Sequence, residues 1–529
     1  MKKENIEKYT VRILFVICIL FQLGCMVVIN SKTIPGGDEW FSYGLANNAS
    51  EGSLFINQKW IDQNTGGTGW IQSEDIWSYF VVDEGEEFDF RSVIDNQKRD
   101  VHPPLYYILV HIFCSLTPGA FNMLQSGMVN FIALIGIHII LWKMGKFFFQ
   151  SEFEKLLPSL VLCFSPITEL IFGYDRMYAL LVFFCLLITY LQLRLKEDTS
   201  NRKILIGLAI TTCLGGLTHY YFYMYLFAAF VIYVATEVFI SKRSIKNLFP
   251  CIISHCVGGI TAIVLYPTAI RHMLFSYRGE QIRDGLFENK IEGFTAYIRY
   301  IDEYCFNGYM LMAFVAFAIA IVIGWYLKKA DSFIKNENMY LFLGTIILFY
   351  GIIAFISYEK LPYYISPIYI PLVILLCVCG LRAVWFIPNK LKTLVVALLF
   401  AFMLGNSLAG GVEDALDTDE YNREITTMLQ TQDGKDCVFV YESWNNLFNN
   451  RIWDLMHFDE ILTVSLEEIQ NVSIAEQLDN RRTENELVVY LWDQNNDYLE
   501  QQIMHIEEEL GKEAKLLFSS RKFSVYSMN

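Results

Sequence analysis

Residues 13–29 read ILFVICILFQLGCMVVI, an apolar run without a charged side chain that follows Lys2, Lys3, Lys8 and Arg12. A bilayer core of about 30 Å is crossed by about 20 helical residues. A signal peptide would have a shorter core and a small-residue cleavage site, and none is evident before Pro35. We therefore predict that this run is a retained first membrane span.

Comparable runs recur along the chain, of which 54% is hydrophobic and 16% aromatic. One such run could be a buried helix, but a series of them indicates an α-helical polytopic membrane protein. We predict about 11 transmembrane helices, at residues 11–30, 120–142, 157–173, 176–194, 203–218, 220–240, 247–269, 306–327, 339–357, 362–385 and 391–409.

Basic loops set the predicted topology, because positive charge near span ends marks the cytoplasmic side. Two spans separate each basic loop from the next; these loops are 143–155, 194–203, 242–246, 328–335 and 382–392. The apolar stretch 103–116 is short and opens with two prolines, so we place it outside as a re-entrant or interfacial helix. This pattern places the basic loops and the N-terminus in the cytoplasm, and an odd number of spans then puts the C-terminus outside.

The predicted domains are a membrane domain, 1–410, with large outer loops at 31–119 and 270–305, and an acidic extracytoplasmic domain, 411–529. From Gly411 onward there are 9 basic and 25 acidic residues, in a chain of net charge −15. Apparent strands at 437–441, 487–492 and 516–526 and helices at 465–478 and 498–510 predict a small α/β domain. The acidic balance argues against a nucleic-acid partner, and the spacing of the 12 cysteines argues against a zinc site or disulfide framework.

Three polar elements lie at predicted outer span ends. Residues 35–40 read PGGDEW, where Asp38 and Glu39 could supply a base and its neighbour, or simply start a solvated loop after a turn. Residues 100–107 read DVHPPLYY; an interfacial helix explains the prolines and tyrosines but not Asp100 and His102. Residues 173–180 read GYDRMYAL, in which Asp175 and Arg176 are either a functional pair or a local ion pair that snorkels to the interface. His219, in THYY (218–221), is by itself more typical of an interface histidine.

Together, in this order, these elements resemble the GT-C glycosyltransferases, and most of all bacterial members related to the protein O-mannosyltransferases and lipid A aminoarabinose transferases. The HPPLYY element is fairly specific, whereas the acidic pair and the RMYAL element are weak alone. The resemblance covers residues 10–240 well and 240–409 loosely, and it does not reach the tail. It implies a GT-C-like membrane fold.

The resemblance also implies an activity. Such enzymes move a sugar from a polyprenyl-phosphate carrier to a glycan, lipid or protein acceptor on the outer face, with inversion at the sugar carbon. It maps the catalytic acidic residue onto Asp38, with Glu39 beside it, and a second acidic or polar site onto Asp100 or Asp175. Some members use a divalent metal such as Mg or Mn; Asp38, Glu39 and Asp100 are the candidate ligands here.

The remaining candidate substrate-binding residues are His102, Tyr106, Arg176, Tyr178 and His219, together with cations for the carrier phosphate. Relatives often carry Arg-Tyr at the outer start of a late span, but here residues 359–364 read EKLPYY. Lys360 could substitute as a point charge without the bidentate fork of arginine. Positive charges are scarce on the outer side, so the other candidates are Arg271, Arg278 and Arg283.

Three alternatives remain open from the sequence. A polysaccharide polymerase or ligase would share the lipid-linked substrate but not the position of the Asp-Glu pair. A lipid or solute transporter or flippase would favour inverted repeats and charges near the bilayer midplane, whereas the charges here cluster at the outer boundary. A membrane anchor for the tail would not need so many spans.

Overall fold

The computed structural model describes residues 2–32, 35, 36, 38–48, 69–276, 279–281, 283, 290–326, 337–384, 387, 389–441, 452–466, 469–481, 486–492, 499–519 and 523–529. The helices of the described residues, in chain order, are α1 (Lys2–Ile29), α2 (Glu39–Asn47), α3 (Ser73–Phe80), α4 (Phe90–Arg99), α5 (Leu105–Cys114), α6 (Leu124–Phe148), α7 (Glu152–Phe164), α8 (Tyr178–Glu197), α9 (Arg202–Gly216), α10 (Tyr221–Ala235), α11 (Phe249–Leu265), α12 (Thr268–Phe275), α13 (Lys290–Ile301), α14 (Met310–Tyr326), α15 (Glu337–Ile356), α16 (Ser366–Ala383), α17 (Asn389–Gln430), α18 (Ile474–Arg481) and α19 (Leu499–Leu510). The strands are β1 (Gly69–Gln72), β2 (Lys435–Tyr441), β3 (Phe458–Ser465), β4 (Leu487–Trp492), β5 (Ala514–Ser519) and β6 (Phe523–Met528).

Two compact units are formed by segments that alternate along the chain. The membrane unit comprises Met1–Ser31, Val101–Tyr106 and Gly127–Ala415, and the sheet unit comprises Lys32–Asp100, Tyr107–Ser126 and Leu416–Asn529. The predicted first outer loop therefore contributes most of its described residues to the same unit as the C-terminal tail.

Among the described residues, seven helices are long and apolar enough to cross a membrane. They are Ile6–Ile29, Leu124–Phe148, Tyr178–Glu197, Tyr221–Ile240, Ile245–Leu265, Glu337–Ile356 and Pro362–Ala383. Each coincides with a predicted span, and large apolar side chains such as Ile206, Phe314 and Phe402 are exposed, as a lipid environment requires. The chain is a multi-pass membrane protein.

The other four predicted spans coincide with helical segments that are not among these seven. The segment 203–218 holds the 15-residue helix α9, and 306–327 holds the 17-residue helix α14. The segment 391–409 lies in α17, whose described apolar part is Leu391–Gly405. The number of 11 spans is thus supported for seven and stays a prediction for four.

The segment 157–173 is interrupted in its middle. Helix α7 ends at Phe164, and a π-helical turn, Thr168–Phe172, follows the Ser165-Pro166 break. Gln22 of α1 compensates for the break: its amide nitrogen donates to Thr168 Oγ1 (2.7 Å) and to the Leu162 carbonyl (3.4 Å), and its Oε1 lies 2.6 Å from His138 Nε2. A buried polar side chain therefore ties α1 to α6 and α7.

Ion pairs join several basic loops at one end of the membrane unit. They link residues of 143–155, 194–203 and 242–246 with one another and with the start of α15. The pairs are Lys146–Glu197, Arg243–Glu237, Lys196–Glu237 and Lys196–Glu337, with nitrogen–oxygen distances of 2.6, 2.9, 3.8 and 3.8 Å. We call this group the basic end; its existence agrees with the prediction that these loops share one side.

Within the described residues, the sheet unit has six strands in the order β1-β3-β2-β4-β6-β5. Strands β3, β2 and β4 are parallel, and the flanking pairs β1–β3, β4–β6 and β6–β5 are antiparallel. Side chains alternate along β2, so that Val438 and Val440 pack against Ile474 of α18 and Ile506 of α19. Phe439 packs beside Tyr490, whose hydroxyl donates to buried Asp454 (2.7 Å).

Candidate active site

The acidic pair lies at the start of α2 in the sheet unit, and its two carboxylates have different surroundings. Asp38 occupies the N-cap position and its side chain is exposed. Glu39 is fully buried; its Oε1 accepts from Lys32 Nζ (2.7 Å) and its Oε2 from the Gly36 backbone N–H (2.7 Å). Glu39 therefore fixes the entry to the helix, whereas Asp38 lies at an exposed position.

Hydrogen bonds and close packing fix helix α2, which begins directly after Asp38. The Tyr43 hydroxyl shares a hydrogen bond with Ser126 Oγ (2.5 Å) and donates to the Asn122 carbonyl (3.1 Å). A Cβ at Gly44 would lie 1.7 Å from the ring of Tyr79, so glycine is required for this close approach. Such packing gives Asp38 a defined position, as a catalytic group needs.

Asp100 belongs to the same unit and ends α4. Its backbone N–H donates to the Asn96 carbonyl (3.1 Å), and its side chain is half-buried. His102, two residues later, belongs to the membrane unit. The DVHPPLYY element therefore contains residues of both units.

The HPPLYY element is anchored beside His219 in the membrane unit. The Leu105 N–H donates to the Leu217 carbonyl (3.0 Å), and the His102 and His219 rings are 6.1 Å apart. Tyr106 is fully buried. Helix α5 has only 10 residues, so it is too short to cross a bilayer, as predicted.

Asp175 and Arg176 are both buried in the membrane unit, at 0% and 4% exposure. The Asn130 side-chain amide donates to Asp175 Oδ1 (3.2 Å) and to the Phe172 and Tyr174 carbonyls (3.2 and 3.0 Å). One amide of α6 thus holds the loop between the π-helical turn and α8. A desolvated pair of charges is retained at a high cost, which favours a functional role for it.

Three tyrosines form a stack next to this pair. The Tyr178 ring lies 4.8 Å from that of Tyr363 and 6.4 Å from that of Tyr174, and Tyr174 lies 5.2 Å from Tyr363, with interplanar angles of 9–22°. The His219 ring is 5.7 Å from Tyr178, and its Nδ1 accepts from the Tyr221 N–H (3.0 Å). We call Tyr174, Tyr178, His219 and Tyr363 the tyrosine end.

The tyrosine end and the basic end are far apart, because α8 begins at Tyr178 and finishes at Glu197. Twenty helical residues extend over about 30 Å, the thickness of a bilayer core. If the basic end is cytoplasmic, the tyrosine end lies at the outer face, where the sequence predicted the substrate site.

Lys360 lies three residues before Tyr363 in the loop after α15. Its ammonium donates to the carbonyls of Ser357 and Tyr358, the latter at 2.9 Å. The Tyr300 hydroxyl donates to the Lys360 carbonyl (2.8 Å), so α13 fixes this loop. A cation is therefore held at the C-terminal end of α15, beside the tyrosine end.

The structure describes two of the three remaining predicted cations. Arg271 is exposed on α12, next to His272, whose Nδ1 lies 2.9 Å from the Tyr220 hydroxyl. Arg283 is exposed, and its guanidinium donates to the Leu274 carbonyl (2.7 Å). Arg278 lies outside the described residues.

The possible metal ligands do not form a recognisable set. The part of the chain that the structure describes contains no group of three His, Cys, Asp or Glu residues that could hold an ion. Metal use by this protein stays a hypothesis.

Solved structures provide the comparison for this architecture. ArnT from Cupriavidus metallidurans bound to undecaprenyl phosphate matches over 97% of both chains, with a TM-score of 0.54 and 12% sequence identity. The fold is similar to that of ArnT. The apo state of the same protein also matches over 97% of both chains, with a TM-score of 0.52 and 12% identity. No family model and no curated protein matches the sequence.

This likeness of fold agrees with the GT-C resemblance read from the three polar elements. Within the membrane unit, the fold brings together His102, Asp175, Arg176, Tyr178 and His219 from separate parts of the sequence. Sequence reasoning missed Asn130, for which a polar residue inside an apolar span was the available signal. It also missed the stacking role of Tyr174 and Tyr363, which no local pattern indicates.

Proposed function

We propose that this protein is an inverting glycosyltransferase that moves a sugar from a polyprenyl-phosphate carrier to an acceptor on the outer face of the plasma membrane. The main support for this proposal is the similarity of fold, over 97% of both chains, to an ArnT structure that contains undecaprenyl phosphate. The proposal includes 11 spans, a cytoplasmic N-terminus and an extracytoplasmic sheet unit. The arrangement of residues at the tyrosine end supports the placement of the site there.

The phosphate leaving group needs little assistance from an acid. The acceptor oxygen or nitrogen attacks the anomeric carbon, the bond from that carbon to the phosphate oxygen breaks, and the phosphate keeps the electron pair. The proton of the acceptor goes to a base, for which the exposed carboxylate of Asp38 is our candidate. Binding both substrates in line converts the encounter into an intramolecular step.

The other residues have positioning and electrostatic roles in this proposal. Lys360 and Arg271 are candidate contacts for the carrier phosphate, whose charge increases as the bond breaks. His102, Asp175, Arg176, Tyr178 and His219 would surround the sugar, to which aromatic faces and buried polar groups can both bind. Glu39 supports α2 through Lys32 rather than reacting.

Lipid-linked sugars in a deletion strain test this function. Loss of the enzyme should leave its donor, a sugar on a polyprenyl phosphate, to accumulate, and mass spectrometry of the lipid extract should identify it. Complementation with the wild-type gene should remove the intermediate. An unchanged lipid-linked pool, or accumulation of a transported solute instead, would contradict the proposal.

A further inference from the structure

Glu359 is an acidic residue of the membrane unit to which the proposed function assigns no role. It lies in the loop between α15, which ends at Ile356, and a 3₁₀ turn, Pro362–Ile365, that leads into α16. The residue is half-buried, and the Tyr364 hydroxyl donates to its Oε2 (3.0 Å). The loop therefore carries a carboxylate directly before Lys360, the candidate contact for the carrier phosphate.

Ring contacts connect this carboxylate to the tyrosine end. The ring of Tyr364 lies 6.5 Å from that of Tyr363 and 4.9 Å from that of Tyr221. The Tyr221 ring in turn lies 4.9 Å from that of His219. Because Tyr363 and His219 belong to the tyrosine end, Tyr364 reaches it both directly and through Tyr221. Glu359, as the hydrogen-bond partner of Tyr364, is therefore a neighbour of the candidate sugar site.

Other side chains already fix the loop. Three tyrosine hydroxyls from α13 and α16 bond to it at successive points; these bonds are Tyr297 to Ser357 Oγ (2.6 Å), Tyr300 to the Lys360 carbonyl (2.8 Å) and Tyr369 to the Pro362 carbonyl (3.0 Å). The Lys360 ammonium also donates to two carbonyls just beyond the C-terminal end of α15. A cation is favourable at that end of a helix, whereas a carboxylate gives no stabilisation there. A ligand gives the carboxylate of Glu359 a function that the loop does not.

We propose that Glu359 binds the sugar of the lipid-linked donor and selects a sugar without negative charge. The inference rests on the proposed function, which places the sugar at the tyrosine end. A carboxylate only accepts hydrogen bonds and offers about four lone-pair positions, of which the Tyr364 hydroxyl occupies one. Hydroxyl or ammonium groups of a sugar match such positions. The carboxylate of a uronic acid, or a phosphate on the sugar, is repelled.

Two lipids separate the contact to the sugar from the contact to the phosphate. Undecaprenyl phosphate carries the phosphate alone, whereas the lipid-linked sugar that accumulates in the deletion strain carries both groups. The measurement is the affinity of each lipid for purified full-length protein in lipid nanodiscs. Glu359→Gln keeps the size of the side chain and removes its charge. We expect its affinity for the sugar-bearing lipid to fall at least about tenfold, while undecaprenyl phosphate binds as it does to the wild type.

Three further variants complete the comparison. Glu292→Gln is the matched control: Glu292 is exposed on α13, and the Cβ position of the next residue, Gly293, lies 3.5 Å from the Lys360 side chain. It removes a carboxylate from similar surroundings and should leave the ratio of the two affinities unchanged. Glu359→Asp keeps the charge on a shorter stem and should retain part of the preference for the sugar. Lys360→Gln should weaken the binding of both lipids.

Two results would overturn the inference. Glu359→Gln could bind both lipids as the wild type does, or it could lose affinity for both to the same extent, as a purely structural residue would. Mass spectrometry of the accumulated lipid is an independent check, because a uronic acid or a phosphorylated sugar would contradict the selection against negative charge.

The two proposals fail in different ways. If no lipid-linked sugar accumulates in the deletion strain, the proposed function fails and this inference fails with it. If the sugar accumulates and the wild type transfers it, but Glu359→Gln keeps the full preference for the sugar-bearing lipid, only the assignment of Glu359 fails.

Discussion

Lys32 and Glu39 form an ion pair at the start of α2, with Lys32 Nζ 2.7 Å from both carboxylate oxygens of a fully buried Glu39. Lys32 itself is partly exposed, at 23%. The pair lies immediately beside Asp38, the candidate base. Its function in our account is structural: it holds the turn that presents Asp38.

Lys32→Met should therefore lower the free energy of unfolding of the sheet unit by about 1–3 kcal/mol. The reason is that the buried Glu39 carboxylate loses a charge-assisted partner. Thermal unfolding of the purified protein measures it. Lys32→Met combined with Glu39→Gln should recover part of the loss, whereas an unaltered midpoint for the single variant would refute the structural assignment.

Topology is tested by cysteine labelling in intact cells. We expect Ser73→Cys and Asn471→Cys, both in the sheet unit, to react with an impermeant maleimide, and Lys242→Cys at the basic end to stay protected until the cells are broken. Burial raises the pKa of the Cys437 thiol well above its usual value, so that native cysteine should stay unreactive. Labelling of position 242 in intact cells, or protection of the two positions in the sheet unit, would contradict the proposed orientation.

Hydropathy predicted most of the membrane unit, because each span is a local apolar run. It could not detect the break at Ser165-Pro166, since averaging over the flanking residues hides it. Gln22, more than 100 residues away, adds hydrogen bonds to the Leu162 carbonyl and to Thr168 Oγ1 on either side of this break. Nonlocal compensation of this kind leaves no pattern in the segment itself.

The sheet was predicted less completely. Strands at 437–441 and 487–492 have strong apolar runs and match β2 and β4 closely. The predicted strand at 516–526 is instead two antiparallel strands, β5 and β6, and β3 was not predicted. Strand β1 has only four residues, and its pairing of Gly69 with Thr463 is too distant in sequence for local patterns to reveal.

The candidate site was predictable as residue types but not as an arrangement. The DRMY element signalled function because adjacent charges between two spans are costly, and the HPPLYY element did so through its resemblance to the GT-C enzymes. Their assembly around His219 depends on packing among separate helices. The sequence also could not predict that Asp38 is exposed and Glu39 buried, because two adjacent acidic residues give no local pattern that distinguishes their burial.

The hydrogen bonds of Gln22 should contribute measurably to stability. Gln22→Leu removes its bonds to Thr168, Leu162 and His138, and such contacts between membrane helices are worth about 1 kcal/mol. Reversible unfolding in mixed micelles should detect the loss. Leu20→Ala, at an exposed position of the same helix, is the control, and equal stability of the Gln22 variant and wild type would contradict the bracing role.

Donor binding should depend on cations near the tyrosine end. Lys360→Gln removes a charge-assisted contact worth about 1.5–3 kcal/mol, so affinity for the polyprenyl-phosphate sugar should fall about 10- to 150-fold. Lys360→Arg keeps the charge and should retain most of the binding. Unchanged donor affinity in Lys360→Gln, Arg271→Gln and Arg278→Gln alike would remove the phosphate-contact hypothesis.

The most direct test of the central claim is sugar transfer from a polyprenyl-phosphate donor by purified, monodisperse Asp38→Asn protein. The exposed side chain makes this substitution compatible with folding, and loss of a general base typically slows a reaction 10²- to 10⁴-fold. Glu39→Gln should have a smaller effect on turnover, because its carboxylate supports α2 from a buried position. We predict transfer by the wild type and a loss of at least about 10²-fold in Asp38→Asn. Near wild-type turnover by Asp38→Asn would contradict the account and direct the search for the base to Asp100 and Asp175.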